Sequence, residues 1–333
     1  MRWALIGAST IAAQYMIRAL RAEGGDIVRV VSGSAERGAA FADAHGIPRS
    51  GTDVAEAVSD PAVDAVYIST TNEKHLPQAL AAIAAGKHVL CEKPLAMSLA
   101  DAASMVRAAE ARGIVFATNH HLRCSGSHGA VRALIREGRI GRVLSLRLHH
   151  AVYLPANLRG WRINSPAEGG GVIPDITVHD ADVARFLLGE DPKAVVAQMT
   201  ASGLGQGVED SAMSVWSMPS GAMVMSHESF THPFAGSGLE VHGTEGSIFA
   251  RGVMTQNPVG EVELVTAAGR EPVAYDHHDL YGEAVRRFRD AVAGKGEPAA
   301  TGWDGVKSLA VALAVREAAL SGARVDVDYG DAK

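Results

Sequence analysis

The chain has 333 residues, 47% of them hydrophobic and 20% charged, with a formal charge of −6. That is ordinary globular composition and enough length for two cores. No apolar run is long enough to cross a bilayer, and no basic cluster offers the footprint that nucleic acid requires, so the expected partner is a small ligand held by local groups.

The start, Met1 to Ala13, has a basic residue followed by apolar and small ones, but the apolar stretch breaks at Gly7, as a strand entering a turn does. Further apolar strand candidates follow at Ile27 to Val31, Ala65 to Ser69, His88 to Cys91 and Ile114 to Ala117, after a first at Trp3 to Ile6. Ala-rich amphipathic stretches separate them, with helices expected over Ala12 to Glu23, Ala35 to Ala44, Lys74 to Ala85 and Leu99 to Arg112. Each helix closes near a glycine: Gly24, Gly46, Gly86 or Gly113. This alternation predicts a parallel sheet. The two cysteines, Cys91 and Cys124, have no metal spacing and form no disulfide framework, which agrees with a reducing cytoplasm. Cys91 reads as a small buried side chain ending a strand.

After Asn119 the pattern changes. Helix is expected over Val131 to Glu137, strand over Val143 to Val152 and helix over Ile176 to Leu188. Between Val195 and about Val265, β-rich runs are joined by turns such as Pro219-Ser220-Gly221-Ala222 and Gly243-Thr244-Glu245-Gly246, which predicts an antiparallel sheet. Helices near Glu283 to Ala293 and Val306 to Ser321 complete the chain. The expected class is α/β: a dinucleotide-binding Rossmann domain over 1–120, then an α+β domain over 121–333 with a largely antiparallel open sheet, responsible for substrate binding and possible oligomerisation. A sheet with one uncovered face is compatible with a monomer or a homodimer.

Strand one runs into Gly7-Ala8-Ser9-Thr10-Ile11-Ala12, which keeps the first glycine of the dinucleotide fingerprint and places Ser9 and Ala12 at the other two positions. An ordinary strand-to-helix turn would look the same, but the downstream alternation favours a pyrophosphate site at the helix start. Strand two ends in Val30-Val31-Ser32-Gly33-Ser34, followed by Glu36 and Arg37, without the carboxylate that holds the ribose of NAD. Ser32 and Ser34 are hydrogen-bond donors and Arg37 suits a 2′-phosphate, which points to NADP; the alternative is a solvated Glu36–Arg37 pair. Polar groups also gather at later strand ends, in Ser69-Thr70-Thr71-Asn72-Glu73-Lys74-His75 and Cys91-Glu92-Lys93-Pro94. In the second domain, Gly169-Gly170-Gly171 leads to Asp175 and His179, four apart and on one face of a helix. A carboxylate beside an imidazole, with a lysine to polarise a carbonyl, is the protein's share of hydride-transfer chemistry. The paired histidines His120-His121, His149-His150 and His277-His278 lack supporting Cys or carboxylate spacing, so no metal is assigned.

These motifs, together with Asn119-His120, resemble the family of glucose-fructose oxidoreductase and inositol dehydrogenase along nearly the whole chain. Within it, Val89 to Met97, His149 to Pro155 and Val241 to Ser247 point to a reductase of a sugar ketone. The resemblance implies a nicotinamide between the two domains, NADPH as donor, a small sugar-like substrate, and a cis Lys93–Pro94 peptide. Lys93 and His179 are then the catalytic pair, Asp175 orients His179, and Ser32 and Arg37 hold the 2′-phosphate. Gly7, Ser9, Thr10, Ile11, Ser34, Thr70, Thr71, Asn72, His75, Glu92, Asn119, Trp161, Arg162 and Tyr281 would complete the cofactor site. Pro174 departs from the aliphatic residue expected there and bears on the helix start that poses Asp175. Two other functions fit parts of the pattern. One is a glycoside hydrolase with transient oxidation by NAD; the other is a non-catalytic dinucleotide sensor, against which the presence of Lys93, Asp175 and His179 together argues.

Overall fold

Five short apolar segments build the first sheet, and most of their residues are buried on both faces, as strands of a parallel sheet covered on two sides must be. They are β1 (Arg2–Ile6), β2 (Asp26–Val31), β4 (Ala65–Ile68), β5 (His88–Cys91) and β6 (Phe116–Thr118); a two-residue β3 (Ser50–Gly51) joins the edge. The order is β3-β2-β1-β4-β5-β6 with parallel pairing throughout, the doubly wound arrangement in which order reverses beside β1. Between the strands run a π-helical turn (Ala12–Met16) continuing into α1 (Ile17–Ala22), then α2 (Ala35–His45), α3 (Val54–Ser59), α4 (His75–Ala84) and α5 (Leu99–Arg112). Both α2 and α5 begin on serine caps, Ser34 and Ser98, and close on left-handed glycines, Gly46 and Gly113. Periodicity alone does not predict α3, which has only six residues and starts on the Asp53 cap.

The computed structural model describes residues 1–332 and falls into two compact units. The first is Met1–His121 with Tyr281–Val306 and Ala332; the second is Leu122–Leu280 with Lys307–Asp331. The first segment of unit one ends at His121, and 281–306, assigned from sequence to the second domain, packs with it. The cause is an apolar stripe on α9 (Leu280–Val292): Ala284, Val285 and Phe288 are buried, and the Phe288 ring lies 5.3 Å from that of Trp3. A bridge from Thr301 to Ala117 then extends the edge at β6.

The second unit holds a nine-stranded sheet in the order β14-β13-β12-β11-β7-β10-β9-β8-β15. Its members are β7 (Val143–Ala151), β8 (Ala194–Thr200), β9 (Ser211–Ser217), β10 (Met223–Ser229), β11 (Ser237–Gly243), β12 (Gly246–Arg251), β13 (Glu261–Thr266), β14 (Gly269–Pro272) and β15 (Val325–Asp326). Pairing is antiparallel except between β7 and β10. Burial alternates along β9, with Ala212, Ser214 and Trp216 inside and Met213 and Val215 exposed, as a sheet packed on one face requires. The helices of this unit are α6 (Gly126–Arg136), α7 (Ala156–Asn164) and α8 (Val178–Leu188), the last preceded by a π-helical turn over Ile173–Thr177; α10 (Gly302–Ser321) continues into it from the first. The starts of α6 and α10 are earlier than expected. Gly126 and Gly129 hide the first turn of α6, and Gly302 and Gly305 that of α10, where Thr301 and Asp304 exchange the hydrogen bonds of a capping box.

Candidate active site

In the first unit β1 delivers the chain to Gly7 at φ +118°, where an added Cβ would lie 3.0 Å from the carbonyl carbon and oxygen of Ser69. Both the backbone angle and the close approach demand glycine. At the second fingerprint position Ser9 replaces glycine's openness with bonding: its Oγ lies 2.7 Å from Ser69 Oγ and accepts from Ala12 N at 3.2 Å. Thr10 is exposed and Ile11 half-buried at the start of the helical turn, whose leading amides suit a pyrophosphate.

At the end of β2, Ser32 is buried and Arg37 Nε donates to its Oγ at 3.0 Å. Ser34 Oγ accepts from Arg37 N at 3.3 Å and so caps α2. The exposed guanidinium is therefore tied to the strand end by Ser32, in place of the solvated pair with Glu36. Ser32-Gly33-Ser34 carries no carboxylate at this end of the sheet.

The loops after β4 and β5 are joined beneath their surface. His75 is fully buried, its Nδ1 2.8 Å from Pro94 O and its Nε2 3.2 Å from Thr70 O; burial lowers its pKa and favours the neutral ring. The Lys93–Pro94 peptide is cis. Tyr67 Oη and Asn119 Nδ2 each donate to Glu92 Oε1 at 2.6 Å, and Asn119 N donates to Cys91 O. Burial raises the Glu92 carboxyl above its usual range, while these two hydrogen bonds act the other way. Tyr281, 1% exposed, is stacked between Tyr15 and His121, with ring centroids 5.0 and 5.1 Å away. The residues assigned to the cofactor thus form two layers. Ser9, Thr10, Ile11, Ser34, Arg37, Thr70, Thr71 and Lys93 retain exposure, whereas Ser32, Asn72, His75, Glu92, Asn119 and Tyr281 are buried.

In the second unit Gly171 has φ +118°, and a Cβ there would overlap the Glu209 carboxylate. Glu209 organises the helix start beyond it: Val172 N donates to its carbonyl at 3.0 Å, Ile173 N donates to Oε1 at 3.2 Å, and Arg316 pairs with Oε1 at 3.0 Å. Pro174 falls in the opening turn, where a missing N–H forfeits no helical bond. The helical run accordingly begins at Ile173, before the expected Ile176, and carries Asp175 and His179 on one face. Asp175 Oδ2 lies 3.3 Å from Arg162 Nε, and the Arg162 guanidinium covers the Trp161 ring at 4.7 Å. Trp161 and Arg162, expected in a polar loop, lie in α7, which sequence periodicity misses because Gly160 interrupts it with non-helical angles. His179 is 7% exposed and its ring centroid lies 6.4 Å from that of His150. Sequence reasoning also missed Glu209, Asp180, Ser226 and Glu228; no local pattern distinguishes them from solvated polar residues.

Residues 1–120 match a family described as an oxidoreductase family with an NAD-binding Rossmann fold, and residues 128–249 match the GFO/IDH/MocA C-terminal domain. The chain is 55% identical over 330 residues to 1,5-anhydro-D-fructose reductase of Ensifer adhaerens, covering 99% of both chains. It is 28% identical to myo-inositol 2-dehydrogenase of Thermotoga maritima over 82% of each. Among solved structures, aldose-aldose oxidoreductase from Caulobacter crescentus, complexed with glycerol, superposes with a TM-score of 0.90 at 25% identity, covering 98% of this chain and 99% of that one.

Proposed function

The chain belongs to the GFO/IDH/MocA oxidoreductase family, and on that premise we propose that it is an NADPH-dependent reductase that transfers hydride to the ketone of 1,5-anhydro-D-fructose, giving 1,5-anhydro-D-mannitol. The observation that carries this reading is the 55% identity, end to end, with an enzyme of that name. The preference for NADPH is supported by Arg37 bonded to Ser32 at a strand end without an acid.

When bound, the reduced nicotinamide supplies the hydride. The Gly7-to-Ile11 turn would hold the phosphates, and Arg37, Ser32 and Ser34 would hold the 2′-phosphate. Lys93 stabilises negative charge developing on the substrate oxygen, and His179 donates the proton that completes the alcohol. Asp175, ion-paired with Arg162, orients the imidazole and binds a sugar hydroxyl.

The test is an assay of the purified protein with NADPH and 1,5-anhydro-D-fructose, following cofactor oxidation and product together. One NADPH consumed per anhydromannitol formed is the expected result. Glycoside cleavage without net cofactor consumption would replace this reading with the transient-oxidation hydrolase.

A further inference from the structure

We propose that Asp180 and Glu228 form a buried acid pair sharing one proton at neutral pH, and that this pair acts as a positioning device for His150 beside His179. Both carboxyls are 0% exposed. Ser226 Oγ lies 3.2 Å from Asp180 Oδ2 and also within hydrogen-bond distance of Glu228 Oε1. A hydroxyl has one proton and cannot donate to two carboxylates at once, so one of the two acids must carry a proton and donate in its turn. Two adjacent anions sealed from water would also repel without compensation. Glu228 is the proton's holder: burial first, and then the Asp180 charge, push its carboxyl well above the usual range.

The remaining negative charge has a destination. Asp180 Oδ1 lies 2.9 Å from His150 Nδ1, and the parallel register of β10 on β7 sets Glu228 opposite His150. A carboxylate at Nδ1 holds a proton on that nitrogen and fixes the orientation of the ring, as buried acids do for imidazoles. The other titratable neighbours do not compete for this role. Asp182 on α8 pairs with Arg123 at 2.7 Å. His128 on α6 is driven to about 4, by burial first and then by His150. His149 on β7 and His227 on β10 are both lowered, chiefly by burial. The facing residues on β11 and β9, Ser237 and Ala212, carry no charge. His179 is the remaining imidazole, 6.4 Å away between ring centroids.

The shared proton and the His150 Nδ1 proton can be read without catalysis; only their consequence for turnover rests on His179 as the proton donor. Infrared difference spectra of the whole protein at neutral pH should show a buried, protonated carboxyl band that Glu228→Gln removes. In ¹⁵N spectra, His150 should carry its proton on Nδ1 in the wild type and in Glu228→Gln, whose amide still donates to Ser226 and leaves the Ser226 proton for Asp180. It should lose that signature in Asp180→Asn, and this variant's kcat should fall about tenfold with KM for NADPH unchanged. If no carboxyl band disappears with Glu228→Gln, or if His150 keeps its signature in Asp180→Asn, the proposal is overturned. Should Asp180→Asn not fold, the band and the His150 signature in Glu228→Gln decide by themselves. Full turnover in His179→Asn would sink the proposed role of His179 and leave the infrared and ¹⁵N results standing.

Discussion

Arg37 reaches the end of β2 through a 3.0 Å bond to Ser32, and the proposed preference for NADPH rests on that contact. Charge-assisted hydrogen bonds to a 2′-phosphate contribute on the order of 1.5–3 kcal/mol, or about ten- to a hundredfold in affinity. Arg37→Ala should therefore raise KM for NADPH by about that factor with little change for NADH, and Ser32→Asp should move preference towards NADH by repelling the phosphate. Steady-state kinetics with both cofactors checks this, and equal weakening of the two would show that Arg37 does not read the phosphate. Lys93 is half-buried beside Glu92, which is itself held by Tyr67 and Asn119. Lys93→Met should cut kcat by about 10²–10³ while leaving NADPH binding, measured by fluorescence titration, nearly unchanged. Unaltered turnover would remove Lys93 from the mechanism. At this scale Ser32, Arg37, Lys93, Asp175 and His179 stand out as candidates in the sequence because each sits at a strand end or helix start. The buried layer under them does not: a histidine set between two loop carbonyls reads, in one dimension, like any polar loop residue.

Among the elements, the segment between β8 and β9 is ordered by a single side chain. Asp210, 0% exposed, accepts from the backbone amides of Ser202, Gly203, Leu204 and Gly205 at 2.7–2.9 Å. Burial alone would raise its pKa, but these amides outweigh it and bring the carboxyl down to about 2. A depressed carboxyl stabilises the fold above its unfolded value of 3.8, and this contribution is lost as pH falls towards 2. Asp210→Asn should cost about 2–3 kcal/mol at pH 7, with the difference narrowing below pH 4. Urea titrations at several pH values measure it, and proteolysis should open first at 201–207; a variant as stable as the wild type at pH 7 would contradict the assignment. Helix and strand identities were otherwise readable. The expected spans of β5 and α5 coincide with the structure, because strong apolar patterning and caps act locally. The start of α6 and the whole of α7 escaped, since Gly126, Gly129 and Gly160 interrupt the pattern that reveals a helix.

For the whole molecule, His128 contributes an acid limit. It is buried in α6 and lowered from 6.5 to about 4, mainly by burial. Since the unfolded chain binds this proton more readily, the stability it permits is present above pH 6.5 and is lost as pH falls towards 4. At pH 4.5 the loss should be about 2–3 kcal/mol relative to neutral pH, and His128→Gln should reduce it. Denaturant midpoints at pH 7 and 4.5 provide the check; identical acid sensitivity in the variant would exclude His128 as the cause. The sequence by itself determined the alternation of strands and helices that makes the parallel sheet, the antiparallel character of the second sheet and the glycine turn after β1, because each follows from residues near one another along the chain. Tertiary structure alone decided that Tyr281–Val306 returns to the first unit, that Glu209 sits under Gly171, and that Asp180, Ser226 and Glu228 surround the inner face of His150. Those arrangements join residues dozens of positions apart, such as Asp180 and Ser226 at a separation of 46. Periodicity reports which face of an element is buried, whereas the partner that a buried polar group meets is set by how distant elements pack.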